Sequence, residues 1–173
     1  MSQRSTSNQP LFNLSEFIIG ERARKTPNAI ALKIISDAPQ NSLPLIWTYF
    51  ELNQAILKIA GGLIGEGLMK GDFLPLRMKS DTPFALTFFG AIAAGIVPFP
   101  LSPQLTAKEV ELFLKDTEAK HCAVTPNLPM PRSLVHPIKQ ISETKILSFL
   151  ETCSPSSYID TKENDPAFLI YSS

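Results

Sequence analysis

Apolar positions alternate between helix-like and strand-like spacing along the chain. After Thr48 they recur at intervals of three and four residues, which predicts a helix with one buried face that ends near Gly65 or Gly67. Short apolar runs without this spacing predict strands over residues 29–35, 45–47, 73–77, 96–99, 121–125 and 167–172. The two kinds of segment follow one another in turn, so that helices connect successive strands.

Side chains that cap helices mark where the predicted helices begin. Thr48 and Thr106 are each followed three residues later by a glutamate, which is the pattern of a capping box. Asn13 and Asp81 can cap two further helices, because their side-chain oxygens accept hydrogen bonds from free backbone N–H groups. Besides the helix after Thr48, the predicted helices cover residues 14–25, 83–94, 106–116 and 142–151.

This alternation predicts an α/β fold with a layered, largely parallel sheet and helices on both faces. Connections that are long enough to hold a helix allow successive strands to pair in parallel. Pro98 and Pro100 remove backbone donors from one strand, which predicts that this strand ends there or lies at an edge. Residues 1–10 are predicted to form a flexible polar tail, and residues 11–173 a single unit.

Composition and charge exclude several kinds of partner. The 16 basic residues balance 16 acidic ones, so no excess of positive charge predicts binding to nucleic acid or to anionic lipid. No apolar run approaches the roughly 20 residues that a membrane span needs, and the polar N-terminus lacks the apolar core of a signal peptide. We therefore expect a cytoplasmic protein.

No local arrangement of residues predicts catalytic chemistry. The glycines of residues 62–67 have the wrong spacing for a dinucleotide fingerprint and follow a helix instead of a strand, and no P-loop motif occurs. Cys122 and Cys153 have neither the spacing of a zinc site nor that of a disulfide framework. From these patterns alone, no catalytic residue and no metal ligand is predicted.

An ordered series of segments resembles the core motifs of adenylate-forming enzymes. Residues 47–52 are similar to the motif L-[TS]-Y-x-E-L, and residues 67–72 to the G-x-x-K-G-D turn that follows it. Residues 90–103 resemble the second core motif, although Ala93 stands where lysine is usual and Ser102 where aspartate is common. Residues 164–173 match the lead-in to the third motif, Y-[TS]-S-G-[ST]-T-G-x-P-K-G.

With these motifs, and with a family-like opening at residues 26–32, the chain is identified as a member of the adenylate-forming (AMP-dependent synthetase/ligase) superfamily. The resemblance covers residues 11–173 and the N-terminal portion of such an enzyme. The form of the second motif favours acyl- or aryl-CoA ligases over the adenylation domains of peptide synthetases.

The resemblance implies a reaction and a partial site. The family uses ATP and Mg²⁺ to convert a carboxylic acid into an acyl-adenylate, and then transfers the acyl group to a thiol, usually that of coenzyme A. Ser172 and Ser173 would then be hydroxyls near the β- and γ-phosphates, although they are equally well interpreted as frayed residues at a chain end. The glycines and lysine of the phosphate loop and the C-terminal domain are absent, so none of these ligands is expected to bind tightly to this chain alone.

Two hypotheses of different classes follow. In the first, the chain is the N-terminal part of an acyl-CoA synthetase of fatty acid metabolism, inactive without the remainder of the ligase, which is supplied in cis or as a separate chain. In the second, it is a non-catalytic interaction module that docks a partner through an apolar face left uncovered around residues 83–94. A truncated or frameshifted gene product is a third possibility.

Overall fold

The computed structural model describes residues 12–35, 43–131 and 137–171. The first helix, α1, is a π-helical turn (Glu16–Gly20) that continues as an α-helix (Glu21–Lys25). The elements that follow are β1 (Ile30–Lys33), β2 (Ile46–Thr48), α2 (Tyr49–Gly65), β3 (Phe73–Arg77), α3 (Thr82–Ala93), β4 (Val97–Pro100), α4 (Ala107–Asp116), β5 (His121–Val124), β6 (Lys139–Ser142) and α5 (Glu143–Thr152).

The described strands form two sheets, and the larger one is wholly parallel. Its four strands lie in the order β4-β3-β5-β6, with Phe73 opposite Val97, Leu76 opposite Ala123, and His121 opposite Lys139. Strands β1 and β2 pair antiparallel in a separate two-stranded sheet. The prediction of a largely parallel sheet is therefore confirmed, as is the edge position of the proline-bearing strand β4.

Helices cover both faces of the parallel sheet, as the sequence predicts. The chain passes from β3 to its neighbour β4 and then back across β3 to β5, so right-handed crossovers place α3 and α4 on opposite faces. Side chains of β3 alternate accordingly, because successive residues of a strand point to opposite sides. Leu74 and Leu76 belong to the core formed with α2, α3 and α5. Phe73 packs against a second core, which includes Phe99 of β4 and Val110 of α4.

Asn13 joins the start of α1 to the end of α3. Its side-chain oxygen accepts hydrogen bonds from the backbone N–H groups of Ser15 (3.0 Å) and Glu16 (3.2 Å), which confirms its predicted role as a cap. Its amide nitrogen donates to the carbonyls of Ile92 (2.9 Å) and Ile159 (2.9 Å). One buried side chain therefore satisfies orphan backbone groups of two helices and of the segment that follows α5.

The predicted strand over residues 167–172 is wrong for its described residues, 167–171, which form no strand. This segment, the terminal arm, lies beside β4, and among the described residues a single backbone hydrogen bond joins the two, from Leu169 N to Pro98 O at 3.1 Å. In a parallel ladder the carbonyl of Leu169 would accept from the N–H of residue 100. Pro100 has no N–H, so the ladder cannot form.

Strand β6 is absent from the sequence prediction. Of its four residues only Ile141 is buried, and Lys139 and Gln140 are exposed, so the run is too short and too polar to show strand-like spacing. It nevertheless pairs in parallel with β5 and forms the outer edge of the sheet. The helix predicted to begin at residue 142 is confirmed, with Ser142 as its cap, accepting from Lys145 N at 3.2 Å.

Two glycines of α2 offer a test of the α2–α5 contact. A Cβ on Gly62 would lie 2.2 Å from Cγ of Phe149, whereas a Cβ on Gly65 would meet nothing within 4 Å. We expect Gly62→Ala to lower the free energy of unfolding by about 1–3 kcal/mol through overpacking. Gly65→Ala, the matched control, should raise it by about 0.5–1 kcal/mol, because alanine restricts the unfolded chain and favours the helix. Urea unfolding followed by circular dichroism measures both, and equal effects would contradict the packing described here.

Candidate functional site

The carboxyl edge of the parallel sheet is where the fold places a ligand. In open α/β sheets, ligands bind outside the carboxyl ends of the strands, at the point where the direction of the connections reverses. Here β4 and β5 lie on opposite sides of β3, so this point falls between β3 and β5, next to Arg77 and Val124.

Arg77, the last residue of β3, organises this edge. Its side chain is fully buried, and the guanidinium donates to the carbonyls of Pro129 (Nε, 2.9 Å), Ser102 (Nη1, 2.7 Å) and Leu105 (Nη2, 2.6 Å). These acceptors lie in the loops after β4 and β5. No carboxylate pairs with Arg77 in the described part of the chain, and burial lowers the pKa of the guanidinium. The cation therefore fastens two loops to the end of a central strand.

A second polar cluster joins the ends of β3 and β5 to the helices that begin beside them. Thr125 donates its backbone N–H to the carbonyl of Arg77 (3.0 Å) and its hydroxyl to Glu143 at the start of α5 (2.8 Å). The same hydroxyl accepts from Lys79 N at 3.2 Å. Asp81 caps α3, and burial, followed by the negative charge of Glu143, raises the pKa of its carboxyl group. The cluster fixes the entry of both helices.

The terminal arm ends beside the carboxyl end of β4. The ring of Tyr171 lies 4.5 Å from that of Phe113 and 5.7 Å from that of Phe99. Its hydroxyl donates to Oδ2 of Asp116 at 2.5 Å. Burial and the neighbouring carboxylate raise the pKa of Tyr171 to about 12. The arm therefore reaches the same edge of the sheet as Arg77.

The two residues predicted from the resemblance, Ser172 and Ser173, lie outside the described residues, as does the predicted tail of residues 1–10. Their role near ATP phosphates stays a prediction. Across residues 12–35, 43–131 and 137–171, no group of three His, Cys, Asp or Glu side chains is arranged to hold a metal ion. No helix in these ranges is long and apolar enough to cross a membrane.

Two cavities lie away from the carboxyl edge. One, of about 190 Å³, is lined by residues at the amino ends of β3 and β5, among them Asp72 and His121. The other, of about 170 Å³, lies before β4, between Gly95 and residues 161–167. At the carboxyl edge itself, Arg77 and Thr125 provide a framework of polar contacts for a site.

Sequence and structural similarity decide the family. The sequence profile of the AMP-binding enzyme family matches residues 19–173. The chain belongs to this family. It covers only the N-terminal part of such an enzyme, and its fold is that of the N-terminal subdomain of adenylate-forming enzymes.

Sequence relatives in the family include CoA ligases and a plipastatin synthase. The chain is 34% identical over 88 residues to 4-hydroxybenzoate–CoA/benzoate–CoA ligase of Rhodopseudomonas palustris, covering 51% of this chain and 16% of that protein. It is 31% identical over 108 residues to a plipastatin synthase protein of Bacillus subtilis, covering 62% of this chain and 4% of that protein. The chain therefore spans a small fraction of these relatives, and the predicted preference for CoA ligases stays a prediction.

Solved structures match the fold over almost the whole chain. A long-chain-fatty-acid-CoA ligase, FadD1, of Archaeoglobus fulgidus superposes with a TM-score of 0.81 at 17% identity, over 99% of this chain and 36% of that one. The fused adenylation–PCP di-domain NpsA-ThdA from Klebsiella oxytoca superposes with a TM-score of 0.80 at 17% identity, over 98% of this chain and 30% of that one. At these identities the likeness shows the fold alone.

Sequence reasoning missed Arg77, which the structure places at the centre of this edge. The sequence feature that could have indicated it is a single cation at the end of an apolar strand. Arg77 lies between Leu76 and Met78, both of which are buried. A charged side chain at the end of a strand is ordinarily solvated, and only the loops at residues 102–105 and 129, distant in sequence, make this one buried.

Replacing Arg77 tests whether its three guanidinium hydrogen bonds stabilise the fold. Lysine is a compact cation that cannot reproduce three divergent bonds, so Arg77→Lys leaves part-buried hydrogen bonds to the loop carbonyls unmade and places a poorly satisfied cation in a buried position. We expect a loss of about 2–4 kcal/mol in the free energy of unfolding. The control is Arg24→Lys, at an exposed ion pair with Glu16, where a change below about 0.5 kcal/mol is expected. Thermal unfolding measures both variants, and an Arg77→Lys protein as stable as Arg24→Lys would refute the role given to Arg77.

Proposed function

We propose that the chain is the N-terminal part of an AMP-forming acid–thiol ligase. Together with the remainder of the enzyme, in cis or as a separate chain, it activates a carboxylic acid with ATP and Mg²⁺ and passes the acyl group to a thiol, with coenzyme A as the expected acceptor. The observation that carries the proposal is the arrival of the terminal arm, with its motif residue Tyr171, at the carboxyl edge of the sheet. A cytoplasmic location and a role in fatty acid metabolism belong to the same proposal.

The described residues do not themselves fit ATP or Mg²⁺. No described cluster has the donor set of a metal site, and Arg77, the fully buried cation at the carboxyl edge, is engaged by carbonyls. A triphosphate also requires backbone amides or cations that converge on its oxygens. In this proposal the chain contributes a rigid edge and the hydroxyls of Ser172 and Ser173 as donors to phosphate oxygens, and the remaining groups come from the rest of the enzyme.

It follows that the 173-residue chain should be inactive by itself. Exchange of labelled pyrophosphate into ATP, measured with and without a panel of aliphatic and aromatic carboxylic acids, reports adenylate formation directly. We expect no carboxylate-dependent exchange from the purified chain, beside a complete CoA ligase as the positive control. Exchange that requires both this chain and a carboxylic acid would refute the claim that the catalytic groups lie elsewhere.

An interaction module is the second candidate, and exposed apolar side chains favour it. Phe88 of α3 lies 5.7 Å from the ring of Phe168 and stacks on Phe84 at 6.0 Å. Phe168 and Ile170 of the terminal arm are 41% and 67% exposed. This apolar strip along α3 and the arm is suited to a protein partner that covers it, as the missing part of a ligase would.

Light scattering after size exclusion tests whether the apolar strip docks a partner. A stable dimer, or a stable complex with a protein that supplies the missing part of the ligase, is the expected result if the strip docks a partner. The double variant Phe168→Ser/Ile170→Ser should then weaken the assembly, since both side chains lose apolar surface. A monomer that binds nothing at any concentration would count against the module.

A further inference from the structure

The terminal arm lies along β4 almost without the hydrogen bonds that hold a strand. The bond from Leu169 N to Pro98 O (3.1 Å) is the one backbone hydrogen bond between the two among the described residues. Pro100 blocks the next bond of the ladder, because it has no N–H to donate. Something other than backbone pairing must therefore keep the arm in place.

Side-chain contacts attach the arm just before it begins, along its length and at its far end. Just before it, Asp165 pairs with Lys70 at 2.8 Å and accepts from Lys162 N at 2.9 Å. Along it, Phe168 contacts Phe88 of α3 and Leu169 packs against the smaller core. At the far end, Tyr171 is held by its ring contacts with Phe113 and Phe99 and by the bond from its hydroxyl to Asp116.

The hydrogen bond from Tyr171 also stabilises the charge of Asp116. It is the last residue of α4, where the partial negative charge of the helix end disfavours a carboxylate. The neighbouring cation Lys115 pairs with Glu111 at 2.6 Å, one turn earlier. The phenol of Tyr171 donates to Asp116 at 2.5 Å and so compensates the carboxylate in part.

We propose that Tyr171, Phe113 and Asp116 form a latch that holds the terminal arm on β4 in place of a β-ladder, and that loss of the Tyr171–Asp116 bond frees the arm without unfolding the sheet. The latch sets the position of the last described residue, Tyr171, at the carboxyl edge of the sheet. Tyr171 and Asp116 are then positioning residues for the phosphate-binding hydroxyls, a role that rests on the proposed function.

Release is local because the latch lies outside the main core. Asp116 is exposed and Tyr171 is only partly buried. The rings of Tyr171 and Phe113 pack at the border of the smaller core, but the bond between the Tyr171 hydroxyl and Asp116 contributes no atom to the β3–β4 pairing or to the larger core. Opening of a segment with few buried contacts and few backbone bonds costs far less than global unfolding.

Amide exchange measured by NMR tests the latch on the intact chain. Tyr171→Phe removes the hydroxyl but keeps the ring, and Asp116→Ala removes the acceptor. In both variants we expect the Leu169 amide to exchange about tenfold faster, since the arm loses one hydrogen bond to a charged group. Asp116→Asn retains an acceptor oxygen, so it should keep the rate within about threefold of the original chain. The Leu101 amide, bonded to Leu76 O at 3.0 Å, is the internal control and should not change.

The phenol titration gives a signature that loss of stability alone would not produce. Burial raises the pKa of Tyr171, and the carboxylate of Asp116 raises it further, because it accepts a bond from the neutral phenol and repels the phenolate. Asp116→Ala should therefore lower this pKa from about 12 toward the ordinary value near 10. The pKa of Tyr158, also raised to about 12 by burial, should not change in the same variant. Carbon-13 labelled tyrosine, with Tyr171→Phe for assignment, resolves the two.

Two results would overturn the latch. One is an unchanged Leu169 rate in both Tyr171→Phe and Asp116→Ala. The other is a rise at Leu101 equal to that at Leu169, which would mean that the whole sheet loosens. Neither result bears on pyrophosphate exchange, so failure of the latch and failure of the proposed ligase function remain distinguishable.

Discussion

The buried guanidinium of Arg77 is the interaction on which the carboxyl edge of the sheet depends. Burying a charge is unfavourable unless its donors are satisfied, and here three backbone carbonyls from two loops satisfy them. The loops after β4 and β5 have no regular structure of their own at these residues, so the cation determines their position relative to β3. The edge where open α/β sheets bind their ligands is therefore positioned by one side chain in this chain.

Single polar side chains also join other irregular segments to the layered core. Asn13 connects α1, α3 and the segment after α5 through bonds to Ser15 N, Ile92 O and Ile159 O. Tyr171 fixes the terminal arm in a comparable way, through the carboxylate at the end of α4. In each case the segment lacks a full set of ladder or helix bonds, and a buried or half-buried side chain supplies what is missing. Such connections depend on residues far apart in the sequence.

What the sequence predicts well is what depends on local chemistry. The capping boxes at Thr48 and Thr106 are present, and in each the glutamate carboxylate accepts from the threonine backbone N–H, at 2.9 Å and 2.7 Å. The α/β class and the covering of both sheet faces are confirmed as well, because helix and strand spacing and right-handed crossovers determine them.

What the sequence misses depends on distant residues. The strand expected over residues 167–172 fails in its described part because of Pro100, which lies in another element. Arg77 goes unnoticed because only the loop carbonyls reveal its burial. Ser172 and Ser173 are predicted as site residues by resemblance alone. The framework of the carboxyl edge depends on how β3, β4 and α4 lie relative to one another, which the sequence pattern does not contain.

NMR of the arginine side chains tests the central role of Arg77 most directly. If its guanidinium is held by the carbonyls of Ser102, Leu105 and Pro129, its Nη protons should give separate, slowly exchanging signals. Couplings across the hydrogen bonds should join the two Nη atoms to the carbonyl carbons of Ser102 and Leu105, and Nε to that of Pro129. The exposed side chain of Arg22 should give averaged signals that exchange with water. Averaged, rapidly exchanging Nη signals for Arg77 would contradict this account of the carboxyl edge.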